Sequence, residues 1–326
     1  MKKLLLLFTL VPCLAFGQMT YVPDDNFEQE LIDLGYDTGT PDDSVPTANI
    51  SSVTILYVNS KNITDLTGIE DFTALTDLAC WGNQLTSLDV SNNTALTWLS
   101  CGGNQLSSLD VSNNNALTVL SCYGNQLTSL VVSNNTSLTY LECSWNQLTS
   151  LDVSNNTALT YLDCRNNLLT SLDVSNNTAL TLLSCYGNQL TSLDVSNNTA
   201  LTQLGCGQNN LFCLNVTNGN NNNMVAMHAD DNPNLTCIEV DDVGYSNTNW
   251  VGASFLFDPQ TSFSEDCNYP TPCDSIITGI IDHPTKPKQL LTITDILGRT
   301  TLPTPNTLMF YIYDDGSVEK TIFLDD

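Results

Sequence analysis

From Leu75 onward the chain repeats one arrangement of apolar and polar positions every 21 residues, L-T-x-L-x-C-x-x-N-x-L-T-S-L-D-V-S-N-N-T-A, restarting at Leu96, Leu117, Leu138, Leu159, Leu180 and Leu201. A 22-residue version, Val53 to Ala74, precedes it with Leu56, Val58 and Ile63 in register. Within a unit the alternation Leu99, Cys101 predicts a short strand with its apolar side inward, and Leu109, Val111 predicts a second. No single unit can bury its leucines alone, so the units must stack, at about 4.8 Å per turn. The predicted fold is mainly β: a solenoid of about eight coils over residues 53–217, with two short parallel sheets.

Such a stack needs covered ends. Asp24, Asp25 and Asn26, followed by Phe27, Glu30, Leu31 and Leu34, predict a capped amphipathic helix within an N-terminal cap over 18–52. A C-terminal cap over 218–267 is predicted to add a partial turn through Leu235, Ile238 and Val240, closed by Trp250, Phe255 and Phe257. Residues 268–287, rich in Pro and Thr, read as a linker, and 288–326 as a small β module with alternating Phe310 and Ile312 and a turn at Asp315-Gly316. Residues 1–17, with Lys2 and Lys3 before the apolar run Leu4 to Leu10, read as a secretory signal peptide, and no later stretch is apolar over the roughly 20 residues of a membrane span.

Two asparagine columns run through the units, Asn83 to Asn209 and Asn93 to Asn198, and predict side chains that pair buried backbone groups. Seven cysteines, Cys80, Cys101, Cys122, Cys143, Cys164, Cys185 and Cys206, share one inward position and read as packed free thiols. Of the cysteines outside this ladder, Cys237 with Cys267 is the preferred disulfide; Cys213 with Cys237, on one column of adjacent turns, is the alternative.

Charge narrows the function. With 35 Asp and Glu against 8 Lys and Arg, a net −27, the surface repels nucleic acid and anionic lipid. The column Asp89, Asp110, Asp152, Asp173, Asp194 predicts a solvated acidic flank that attracts cations diffusely. Asp230, Asn232 and Asn234 imitate the start of a calcium loop, but Leu235 stands where the sharp turn needs glycine. The two histidines, His228 and His283, lie beside no candidate nucleophile, and neither a catalytic nor a metal-binding motif occurs. The expectation is a protein without enzymatic activity, cofactor or bound metal.

Because the units are near copies, the positions where they differ are informative. Positions 3, 5, 7 and 8 vary, flank the inward Leu and Cys of the first strand, and should share one sheet face turned to solvent. That face is expected to carry Trp81, Trp98, Tyr123, Tyr140, Trp145, Tyr161 and Tyr186, with Glu142, Asp163 and Arg165 near its middle. Clustered exposed aromatic rings on a rigid sheet mark a contact surface. Arg165 is the expected anchor for an acidic group on a ligand.

The units resemble the Cys-containing 21-residue leucine-rich repeats of secreted bacterial surface proteins, and Tyr21-Val22-Pro23-Asp24-Asp25-Asn26-Phe27 is similar to their lead-in. Asp295-Ile296-Leu297-Gly298-Arg299, Phe310 to Gly316 and Glu319-Lys320 resemble a type IX secretion C-terminal sorting domain, although its usual Asn-Pro-rich opening is not seen. The resemblance implies passage across an outer membrane, with the tail recognised by the secretion machinery. The expected function is extracellular or cell-surface adhesion to a protein or glycan through the aromatic face, with no nucleic-acid partner and no membrane insertion. The alternatives are a passive structural surface protein with cation-binding acidic faces and a degradative-enzyme accessory that targets polysaccharide.

Overall fold

The computed structural model describes residues 17–269 and, further on, the backbone of Leu290–Thr294, Leu308–Tyr313 and Val318–Ile322. The expected leader before Gly17, the expected linker beyond Tyr269 and the Asp295–Arg299 motif lie outside the described residues. The chain divides into two units, Met1–Ser275 and Ile276–Asp326.

The first unit opens with β1 (Met19–Tyr21), α1 (Asp25–Asp33), β2 (Ser44–Pro46) and α2 (Thr47–Ile50), β1 and β2 pairing antiparallel. Asp24 caps α1: one carboxylate oxygen accepts from the N–H groups of Asn26 and Phe27 at 3.0 and 2.9 Å. Its other oxygen accepts from Thr64 N and Oγ1 at 2.8 and 2.6 Å, so the residue that starts the helix also ties it to the first coil. A second tie is the Lys61–Glu30 ion pair at 2.6 Å. Phe27, Leu31 and Ile50 are buried against the end of the repeat core.

The coils follow as β3 (Ile55–Tyr57), β4 (Asp77–Ala79), β5 (Trp98–Ser100), β6 (Val119–Ser121), β7 (Tyr140–Glu142), β8 (Tyr161–Asp163), β9 (Leu182–Ser184), β10 (Ser192–Asp194), β11 (Gln203–Gly205), β12 (Cys213–Asn215), β13 (Ala226–His228), β14 (Cys237–Glu239), α3 (Val243–Asn249), β15 (Phe255–Leu256) and β16 (Ser262–Ser264). Ten of these strands form one front sheet, ordered β15-β13-β11-β9-β8-β7-β6-β5-β4-β3. Every neighbouring pair is parallel, and the repeats are in register, with Leu78, Leu99, Leu120, Leu141, Leu162 and Leu183 as direct partners. The sheet thus exceeds eight coils. The cap region keeps the pattern because Met227, Ala229, Leu235, Ile238 and Val240 are buried like their counterparts in the coils before them.

The rear side differs from the expectation of two strands in every coil. A rear sheet exists as β10-β12-β14-β16, and before it, among the described residues, this side has only the bridge Asp89–Asp110. The second asparagine column runs along this side. The Asn114 amide donates to Val90 O at 3.0 Å and Asn93 O at 2.9 Å, and Asn135, Asn156, Asn177 and Asn198 repeat the pattern. Each side-chain amide thus satisfies two buried carbonyls of the coils before it. Asn218 carries the pattern on by donating to Asn198 O at 3.1 Å, and in these last coils backbone bonds such as Val195 N to Asn215 O and Val216 N to Glu239 O, both 2.9 Å, join the rear segments as well.

The first asparagine column is more fully paired. Asn104 donates to Cys80 O and Cys101 O at 3.1 and 3.0 Å and accepts from Leu85 N at 3.1 Å, joining two coils through one side chain. Asn232 occupies the same place, donating to Cys206 O and Ala229 O and accepting from Leu211 N. Its fully buried amide is committed to the backbone, which removes it from the calcium-loop resemblance.

All seven ladder cysteines are buried free thiols. Cys237 is bonded to Cys267 with Cα atoms 5.9 Å apart, and Cys213, on the adjacent coil, is itself disulfide-bonded. Trp250 closes this end, its ring 5.9 Å from Phe255, 6.4 Å from Phe257 and 5.5 Å from Phe263. In the second unit β17 (Leu290–Thr294), β18 (Leu308–Tyr313) and β19 (Val318–Ile322) form an antiparallel sheet in the order β17-β18-β19.

Candidate functional site

The front sheet turns its central leucines inward, so the residues on either side of them in each strand face out. Pairing in register converts the sequence variation into rows. Asp77, Trp98, Val119, Tyr140, Tyr161, Leu182 and Gln203 are successive neighbours in one row; Ala79, Ser100, Ser121, Glu142, Asp163, Ser184 and Gly205 form the next.

These rows and the residues beside them form a trough of about 500 Å³, lined by Trp81, Trp98, Ser100, Val119, Ser121, Tyr123, Tyr140 and Glu142. Small side chains make its floor and aromatic rings its walls. Each of two opposed walls is braced from behind. Tyr140 stacks on Tyr161, with ring centroids 4.2 Å apart and planes 8° from parallel, while Trp98 meets Tyr57 edge to face at 6.0 Å. Tyr123 leans back over Gly102, where a Cβ would fall inside its ring, so a residue without a side chain is what lets this wall lie down.

The charges inside the face are few and specific. Glu142 Oε2 accepts from Ser121 Oγ at 2.8 Å and from Tyr140 Oη at 3.4 Å. One coil on, Arg165 Nη2 lies 3.0 Å from Asp163 Oδ2, and Asp163 Oδ1 accepts from Arg165 N at 3.1 Å. Burial pushes the Asp163 carboxyl up; Arg165 opposes that and Glu142 adds to it. Burial also raises the phenols of Tyr140 and Tyr161, with Glu142 reinforcing the first and Asp163 the second, so both stay neutral. A second trough of about 220 Å³ includes Tyr161, Asp163, Arg165, Leu182, Gln203 and His228.

The ten residues singled out from the sequence fall into three groups. Trp81, Trp98, Tyr123, Tyr140 and Glu142 line the first trough, and Tyr161, Asp163 and Arg165 the second. Trp145 and Tyr186 line neither. Trp145 stands in the turn after the strand at φ 54°, 61% exposed, and Tyr186 leans toward Gly207. Arg165 reaches this face already paired, its guanidinium on Asp163 and its side chain still 46% exposed. Ile55 and Tyr57 were missed, although they extend the face by one coil and are 50% and 52% exposed. The signal for them was the alternation Ile55, Leu56, Tyr57, hidden by the 22-residue length of the first coil.

The acidic column on the rear also has local partners. Asp89, Asp110, Asp152, Asp173 and Asp194 each accept from the N–H two residues on, at 2.7 to 2.9 Å. Among the described residues no group of three or more His, Cys, Asp or Glu is placed to hold a metal ion, and no helix is long and apolar enough to cross a membrane.

With this geometry in place, similarity to known proteins bears on the fold. No family model matches the chain. Internalin J of Listeria monocytogenes is 42% identical over 73 residues, which are 22% of this chain and 8% of that protein. The solved structure of internalin C2 from the same organism covers 64% of this chain and 94% of its own, with 23% identity and a TM-score of 0.56. The fold is a leucine-rich-repeat solenoid. A solved functional domain of internalin J, which includes a cysteine ladder, is 28% identical and covers 76% of this chain and 72% of its own at a TM-score of 0.38.

Proposed function

We propose that this chain is an extracellular binding protein whose front sheet recognises a partner through its aromatic rows, and that it is not an enzyme. The observation that carries the reading is the braced trough between Trp98 and Tyr140. Large rings held in place before contact lose little conformational freedom on binding, and concentrated aromatic area is what contributes most at protein interfaces. Trp145, held in a left-handed conformation and still well exposed, adds a ring beside that face at some conformational cost. The short stretch shared with internalin J is in keeping with this reading. On the same reading residues 1–17 direct export, and residues 288–326 engage the secretion machinery and leave the chain at the cell surface or in the medium.

An array of extracellular proteins and glycans probed with the wild-type chain and with the Trp98→Ala, Tyr140→Ala, Tyr161→Ala triple variant tests the proposal. Partners captured by the wild type and lost by the variant, at unchanged melting temperature, are expected. A chain that captures nothing but melts higher with added calcium would instead be a passive cation-binding surface component.

A further inference from the structure

The trough has a chemical sign as well as a shape. Tyr140 and Tyr161 lie on neighbouring coils and stack almost parallel, so their ring normals run along the stacking direction. The face of Tyr140 that Tyr161 does not cover therefore looks across Val119 toward Trp98, two coils away. Two strand spacings amount to about 9.6 Å, and a flat group needs roughly 3.5 to 4 Å on each side. Beside the hydroxyl end of the Tyr140 ring lies the Glu142 carboxylate, held by Ser121 and the Tyr140 hydroxyl.

The neighbouring coil supplies an internal comparison. There the carboxylate in the same row, Asp163, takes the guanidinium of Arg165, two residues further on and beside the Tyr161 ring. In the coil of Glu142 the residue two further on is Ser144, and among the described residues Glu142 has no ion-pair partner. The described basic side chains are Lys61 and Arg165, each already paired with an acidic group. A chain of net charge −27 draws cationic segments toward it at long range.

We propose that the trough takes an arginine side chain of a partner polypeptide, its guanidinium plane between Trp98 and Tyr140 and its N–H fork on Glu142. This rests on reading the front sheet as a binding surface. A guanidinium suits the site better than an ammonium because it is flat, stacks on rings and donates two parallel bonds to one carboxylate. A neutral sugar would stack but leave the Glu142 charge uncompensated.

The test uses the full chain and fluorescent Gly-Arg-Gly-Arg-Gly, with lysine and citrulline counterparts, read by anisotropy. The arginine peptide is expected to bind, the lysine peptide about fivefold more weakly, and the uncharged citrulline peptide not detectably. Glu142→Gln and Tyr140→Ala should each weaken arginine binding about tenfold, whereas Asp173→Asn, the same charge change on the rear, should leave it within about twofold. Equal binding of citrulline, or equal loss in Asp173→Asn and Glu142→Gln, overturns the proposal. Binding of chitohexaose with no binding of the arginine peptide assigns the trough to a glycan and also overturns it. A partner from the array that Trp98→Ala loses but Glu142→Gln retains refutes the arginine assignment while leaving the binding face intact. One indifferent to Trp98, Tyr140 and Tyr161 together removes both.

Discussion

The Tyr123 ring packs over the Cα of Gly102, one coil toward the N-terminus, so closely that the two positions behave as one unit of surface. Gly102→Ala should push Tyr123 outward and reshape the trough. Because Tyr123 is only partly buried and free to swing, the loss of stability should stay below the ~1–3 kcal/mol of overpacking a closed core. Near-ultraviolet circular dichroism would report the changed ring, and thermal melting the small cost.

Trp145 should be replaceable by glycine with a gain in stability. The same turn position holds Gly82, Gly103, Gly124 and Gly187 in other coils, all at positive φ, and a side chain there costs about 1–2 kcal/mol. Trp145→Gly is expected to raise the urea midpoint. Weaker partner binding in the same variant would show that the strained ring is kept for contact.

The two asparagine columns should differ in what they contribute. Asn146→Ala removes the amide bonds to Cys122 O, Cys143 O and Ser144 O and leaves the buried Leu127 N–H without its acceptor. Asn156→Ala removes bonds to Val132 O and Asn135 O, while its own oxygen is buried with no partner to lose. Each buried group left unpaired costs about 1–3 kcal/mol, so Asn146→Ala should be the more destabilising, as read by urea denaturation.

Front-side order was legible because period and register coincide. A repeat that holds its length puts Leu99 against Leu120 and Trp98 against Val119 without further information. The rear was not legible in the same way, because the letters Leu-Asp-Val stand unchanged in a coil with a rear strand, Ser192–Asp194, and in coils without one. For the face, alternation named Trp98, Tyr140 and Glu142, yet it could not show that Arg165 turns to Asp163 or that Trp145 sits in a turn. Those outcomes depend on side-chain direction and backbone sign, to which the hydrophobic pattern is blind.

The ladder thiols should be silent in the native protein. Burial pushes Cys101 and Cys206 up to about 12, and raises the others as well, so at pH 8 all seven remain protonated and out of contact with reagent. Ellman's reagent is expected to find these thiols only after unfolding in guanidinium. Rapid labelling of the native chain would contradict the packed ladder.

Acid should act on the two sides of the molecule with opposite sign. Asp89, Asp110 and Asp152 are held below the usual carboxylate range by the Ser91, Ser112 and Ser154 side chains and N–H groups. Their support is complete above the unfolded value near 3.9 and is lost as pH falls through the lower folded values. Asp163 is raised by burial, so its protonation on the way down favours the folded state. Melting temperature against pH should therefore rise slightly before it falls, with Asp163→Asn flattening the rise and Asp152→Asn softening the fall.

The asparagine staples make one join between coils interchangeable with the next. A whole 21-residue insertion keeps every staple satisfied, and even the 23-residue spacing from Asn209 to Asn232 leaves the amide paired with both coils. Copying one coil between Val119 and Tyr140 would move the two walls apart by one strand spacing while leaving the stack intact. The width of this mouth is thus a countable quantity, changed in fixed steps by gene duplication, while the identity of what it grips changes by single substitutions at the row positions.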